Sequence, residues 1–162
     1  MALVRILIDG YSLLHSWPEL AAGWARHSAT AREELIQNLT HYSDACGTPI
    51  TVIFDGNAEG SLRAPKTPGK KTSKPGIEVL YSRHGQTADD MIERVVHRMR
   101  PYGEVLVVTD DIAERDTVAS LGGMGSSCFN FIATFESTMG DLARDVKLHN
   151  RREMNRYKTA RS

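Results

Sequence analysis

Short apolar, β-branched runs alternate along this chain with stretches whose apolar residues recur every three or four positions. That alternation predicts βαβ units on a parallel sheet buried on both faces. The runs at residues 4–8, 50–54, 77–81, 105–108 and 128–132 read as five strands. After a polar segment over 17–27, a helix is expected from about Ser28, with Leu35, Leu39, Tyr42 and Cys46 along one face and Gly47 closing it. Thr87 is the expected N-cap of the next helix, where Ala88, Met91, Ile92, Val95, Val96 and Met99 keep a helical period until Pro101 and Gly103 end it. A short helix is expected over 112–121, and a last one from about Thr134, fraying into the tail. The expected architecture is an α/β fold, a three-layer α/β/α sandwich on a five-stranded parallel sheet.

Aspartates close these runs: ILIDGYSLLHSWPEL at 6–20, TVIFDG at 51–56, QTADDMIE at 86–93 and LVVTDDIAER at 106–115. Each has a plain structural use. Asp9 and Asp55 precede a glycine and could open a turn, while Asp89, Asp90, Asp110 and Asp111 sit where helices start and negative charge is favoured. Taken together they point further. With strand order 3-2-1-4-5 the order reverses beside strand 1, and parallel sheets present their ligand sites at the carboxyl ends of strands at such a point. Asp9 then has Asp55 on one side and Asp110 or Asp111 on the other, and the helix after strand 3 brings Asp89 and Asp90 to the same rim. Uncompensated carboxylates held together repel one another, and a divalent cation relieves the cost.

The chain has 162 residues, 41% of them hydrophobic, which suits one domain with a real core. Residues 1–146 are expected to form it, with 147–162 as a basic C-terminal tail. Formal net charge is zero, but it is unevenly spread. The loop 61–76, with Arg63, Lys66, Lys70, Lys71 and Lys74, and the segment 144–162, with seven bases including Arg151 and Arg152, leave the rest net negative by about ten. Such segments can be solvated linkers or helix ends; they can also draw a polyanion toward an acidic site that would otherwise repel it. Cys46 and Cys128 lie far apart, so neither a disulfide framework nor a zinc knuckle is expected. Asp9 interrupts the N-terminal apolar run, and no apolar stretch is long enough to span a bilayer, so a cytoplasmic protein is expected.

DGYSLLHSWPEL, VIFDG, TADDMIE and VVTDDIAER, in that order, resemble the YacP-like branch of the NYN domains, within the PIN-like nuclease superfamily. The resemblance runs from about residue 4 to 135. It implies metal-dependent cleavage of RNA by an endoribonuclease, with a possible ribosomal partner. By position, the family's aspartates fall on Asp9, Asp89, Asp90 and Asp111, and Asp55 matches its FDG. Two positions depart from the pattern: Ser12 stands where the family usually has asparagine, and Asp110 where a serine is common.

The expected chemistry is phosphodiester hydrolysis with Mg²⁺ or Mn²⁺. Asp9, Asp89 and Asp111 are the expected catalytic metal ligands, with Asp55, Asp90 and Asp110 as supporting acids. Ser12, His15, Lys66, Lys70, Lys71, Lys74, Arg151 and Arg152 are expected to meet RNA. Trp17 or Trp24 could stack on a base or simply pack a loop, His84 could touch phosphate, and Ser126 and Ser127 could approach the site or serve a turn. The main rival is an RNA- or ribosome-binding module with the same fold and little or no cleavage, which Ser12 favours. A receiver-like or phosphoryl-transfer α/β domain lacks support: no DxD follows strand 1 and no GxxxxGK[ST] loop occurs.

Overall fold

In the computed structural model, the described residues are 3–20, 28–55, 76–83 and 86–160, with side chains described through 156. The elements run β1 (Leu3–Asp9), α1 (Gly10–Ser16), α2 (Ala29–Cys46), β2 (Ile50–Phe54), β3 (Ile77–Tyr81), α3 (Ala88–Met99), β4 (Glu104–Val108), α4 (Ile112–Ser120), β5 (Met124–Ser126) and α5 (Cys128–Ala160). A 3-10 turn, Arg100–Tyr102, links α3 to β4. The sheet is parallel throughout, in the order β3-β2-β1-β4-β5.

Alternation along the strands explains the three layers. Ile6, Ile8, Ile50, Val52 and Phe54 point to one face and join Leu35, Leu39, Phe131 and Phe135 from α2 and α5. Leu7, Ile53, Val105 and Val107 point to the other, against Ile92 and Val96 of α3 and Val118 of α4. Because successive strand residues face opposite sides, one continuous apolar run supplies both cores.

Two regions differ from the sequence expectation. Residues 128–132 are not a strand but the first turns of α5, a helix of 33 residues. Cys128, Phe131 and Phe135 are buried at helical spacing while Phe129 is 78% exposed, which a strand could not achieve. The fifth strand is instead Met124–Ser126, a Met-Gly-Ser segment whose pairing with Leu106–Val108 outweighs poor strand propensity. Nor does the last helix begin near Thr134; it starts at Cys128 and continues through 160, so the expected boundary at 146/147 falls inside it. The other difference is α1, a short helix directly after Asp9, which buries Leu13 and Leu14.

Gly10 makes the β1–α1 turn possible. A Cβ there would lie 2.3 Å from Phe54 Cε1, so only glycine lets that ring lie against the turn. Among the described residues, no helix is long and apolar enough to cross a membrane.

Candidate active site

The carboxyl ends of β1, β2 and β4 and the start of α3 surround one cleft of about 440 Å³. Asp9, Asp55, Asp89 and Asp111 all line it, one from each of those places, with Tyr11, Ser12 and the Thr87–Ala88 pair between them. No basic residue occurs among the described lining residues.

Most of these carboxylates are fixed by a local hydrogen bond, so the turn-and-cap use and the shared cleft coexist. Asp9 is the N-cap of α1 and accepts the Ser12 N–H at 3.4 Å. Asp111 caps α4, accepting the Ala113 and Glu114 N–H groups at 3.0 and 3.3 Å, and its own N–H donates to Thr109 Oγ1. Ser82 donates its hydroxyl to Asp55 at 3.0 Å. Asp89 stands in the first turn of α3, just after its Thr87 cap. Helix starts favour carboxylates through their free N–H groups and dipole, and here they also aim them into the cleft.

Crowding shows in the ionisation of these groups. Burial, opposed by the Ser12 N–H and reinforced by Asp89, Asp55 and Asp111, lifts the Asp9 carboxyl from 3.8 to about 6. Asp89 is raised too, by burial first and then by Asp111, Glu93, Asp90 and Asp55. Asp55 and Asp111 act on both Asp9 and Asp89, as expected where carboxylates share one cleft.

Two expected supporting acids, Asp90 and Asp110, are not among the residues that line it. Asp90 completes a capping box, accepting the Thr87 N–H through its carboxylate while its own N–H donates to Thr87 Oγ1. It lines a separate cavity with Glu93, Arg94 and His97. Asp110 turns away from the cleft and accepts the Cys128 N–H at 2.9 Å and the Ser16 hydroxyl. Burial alone would raise its pKa, but those hydrogen bonds outweigh it and hold the carboxyl below the usual range. The reason is the same for both: the backbone N–H groups of a helix start claim the carboxylate.

Ser12 lines the cleft, and its hydroxyl accepts the Asp110 N–H at 3.0 Å. The two positions that depart from the family pattern are therefore bonded to each other. His15 is exposed on α1 and lies outside the described cleft lining. Trp17 is buried against Phe135, their ring centroids 4.9 Å apart in an edge-on contact, so it packs the core. Ser127 accepts the Asn130 N–H at the start of α5. Arg151 and Arg152 are exposed on the distal part of α5. Lys66, Lys70, Lys71, Lys74, Trp24 and His84 lie outside the described residues.

Sequence reasoning missed Glu114. It is 4% exposed, and its Oε1 is buried without a hydrogen-bond partner. Burial, followed by the charges of Asp89 and Glu93, lifts its carboxyl from 4.5 to about 8. The only sequence signal was its position three residues after Asp111, on the inner face of α4.

The cleft offers carboxylate oxygens, the donors that hard divalent cations prefer. Among the described residues, no three acidic, histidine or cysteine side chains stand close enough to form a ready-made cage. A small hard cation does not need one, since Mg²⁺ commonly keeps several waters and takes only one or two protein carboxylates. The donor chemistry therefore fits.

YacP of Bacillus subtilis (strain 168) is 26% identical over 143 residues, covering 88% of this chain and 81% of that protein. The crystal structure of the W164L mutant of Rae1 (YacP) from Bacillus subtilis superposes with a TM-score of 0.75 at 23% identity, covering 91% of this chain and 84% of that one. The crystal structure of Rae1 (YacP) without that mutation gives a TM-score of 0.70 at 23% identity, covering 96% of this chain and 85% of that one. The YacP-like NYN domain pattern matches residues 6–161, nearly the whole chain and well past the segment that the motifs cover, and the protein belongs to the YacP-like NYN domain family.

Proposed function

We propose that this protein is a metal-dependent endoribonuclease that hydrolyses RNA phosphodiester bonds in the acidic cleft. The observation that carries this reading is the convergence of Asp9, Asp55, Asp89 and Asp111, from four separate elements, on one cleft where burial, reinforced by the neighbouring carboxylates, raises Asp9 to about 6. A fold that gathers carboxylates at such a cost gains from a cation there. A pure RNA binder gains nothing from acids facing phosphates.

Asp9, Asp89 and Asp111 are the proposed acids that would hold Mg²⁺ or Mn²⁺, one or two directly and the rest through its waters, with Asp55 supporting them. When bound, the ion would lower the pKa of an attacking water and neutralise charge on the leaving oxygen. The protein's part is to orient these acids through the N–H groups of Ser12, Ala113 and Glu114 and the Ser82 hydroxyl. Arg151 and Arg152 on α5, with Lys66, Lys70, Lys71 and Lys74, are proposed to draw RNA toward this acidic body. The family resemblance extends the proposal to RNA on the ribosome, in the cytoplasm.

The test is incubation with labelled RNA, and separately with ribosomes carrying a translated message, with Mn²⁺ and with EDTA. Mn²⁺-dependent internal cleavage that EDTA stops is the expected result. A folded Asp9→Asn/Asp89→Asn double variant with full activity would sink the assignment. The second reading, RNA binding without cleavage, is favoured by Ser12 in place of the usual asparagine; retained RNA binding with no cleavage under any metal would establish it.

A further inference from the structure

Beside the carboxylates, the cleft has an aromatic wall with a cation behind it. Tyr11 lines the cleft immediately after Asp9 and Gly10. Its ring meets Phe54 at 5.1 Å between centroids, tilted by 60°, and Phe54 in turn stacks on Tyr81 at 5.6 Å. Phe54 is fully buried, whereas Tyr11 and Tyr81 are half-buried at the two ends of the row. Arg32 of α2 donates to the Tyr11 hydroxyl oxygen at 3.3 Å and also hydrogen-bonds Tyr81. That arginine is only 5% exposed.

Keeping a guanidinium this buried is costly unless hydrogen bonds satisfy it, and an apolar side chain would fill the same space under α2 more cheaply. What the arginine adds is rigidity for two tyrosines and positive charge behind a cleft whose described lining has only acids and neutral groups. A nucleotide has matching features: an aromatic base that stacks on a ring and a phosphate that seeks positive charge. Gly10 belongs to the same arrangement, because any Cβ there would push Phe54 away and unseat Tyr11.

We infer that Tyr11, held by Phe54 and positioned by Arg32, is a nucleotide-contacting residue that stacks on one RNA base beside the acidic site. This inference rests on the proposed action on RNA. It assigns the β1–α1 wall the task of holding one nucleotide while the carboxylates face the neighbouring phosphate. The contact is sequence-tolerant, since every base has a stacking face.

The test uses the full chain carrying Asp9→Asn, so that binding is read without cleavage, and fluorescence anisotropy with a short single-stranded oligoribonucleotide and with the same oligomer made abasic. Tyr11→Leu, which keeps apolar volume, is expected to weaken binding of the intact oligomer about tenfold, within the range typical of one lost base–aromatic stack. Tyr11→Trp should bind within about twofold of the parent, and Arg32→Met should show a smaller loss than Tyr11→Leu. The Tyr11→Leu loss should vanish on the abasic oligomer, a dependence that a purely structural role does not produce. Equal binding by the Leu variant and its parent, or an equal loss on both oligomers, overturns the stacking role and leaves the nuclease reading standing. If the parent itself binds no RNA, both fall.

Discussion

The Asp110 carboxylate accepts the Cys128 backbone N–H at 2.9 Å, tying the loop that carries Asp111 to the first turn of α5. The same residue's N–H donates to Ser12 Oγ at 3.0 Å, and the Ser12 N–H donates to Asp9. A hydrogen-bonded path therefore runs from the cleft to the long helix. Asp110 serves as a cap contributed from outside the helix it caps. Asp110→Ala should cost about 0.5–2 kcal/mol, the range for a lost N-cap, and lower the thermal midpoint. RNA cleavage at a temperature where the variant is folded should persist; its complete loss would return Asp110 to the metal site.

Asp9→Asn and Asp89→Asn, made singly, should each abolish Mn²⁺-dependent cleavage while leaving the far-ultraviolet circular dichroism spectrum unchanged. Adding Mn²⁺ should raise the thermal midpoint of the wild type more than that of either variant, because a ligand stabilises only the state that binds it. Equal shifts in all three proteins would place the cation elsewhere.

The raised pKa of Asp9 gives a signed dependence on pH. Between 3.8 and about 6 the folded chain holds this proton more tightly than the unfolded chain. Stability should therefore fall as pH rises through that window, by on the order of 2–3 kcal/mol once Asp9 is ionised. Asp9→Asn should match the wild type below the window and exceed it above, as urea midpoints at several pH values would reveal. Glu114, lifted from 4.5 to about 8, extends the decline in both proteins, and Glu114→Gln should remove that part.

Gly10→Ala places a Cβ 2.3 Å from Phe54 Cε1. Overpacking of this kind should cost about 1–3 kcal/mol. Denaturant unfolding measures it, and an unchanged midpoint would mean that the Phe54 ring shifts freely.

Arg151→Glu/Arg152→Glu reverses charge on an exposed stretch of α5 without touching the core. RNA affinity should fall and its dependence on salt should become shallower, because fewer counterions are released. Unchanged affinity and slope would remove α5 from the RNA path.

The sequence by itself determined four of the five strands and the α3 cap and helix, and, given the strand order 3-2-1-4-5, it set six aspartates at one rim, of which four line the cleft. The strands and the helix rest on local signals: Ile50–Phe54 is a short run rich in β-branched residues, and Thr87 with Asp90 forms a cap within a single turn. Tertiary structure decided the rest. Residues 128–132 are rich in aromatic and apolar side chains that suit a strand or a helix alike, and only docking of Cys128, Phe131 and Phe135 into the α2 face selects the helix. Asp110 and Asp111 are adjacent and chemically identical, yet one caps α5 and the other faces the cleft. That choice depends on which backbone N–H groups lie nearby, and the N–H of Cys128 is 18 residues away in sequence. Arg32 and Tyr11 are likewise 21 residues apart and meet only because α2 packs beside the β1–α1 turn. Periodicity reports which face of an element is apolar; the partner a polar group finds is set by long-range packing.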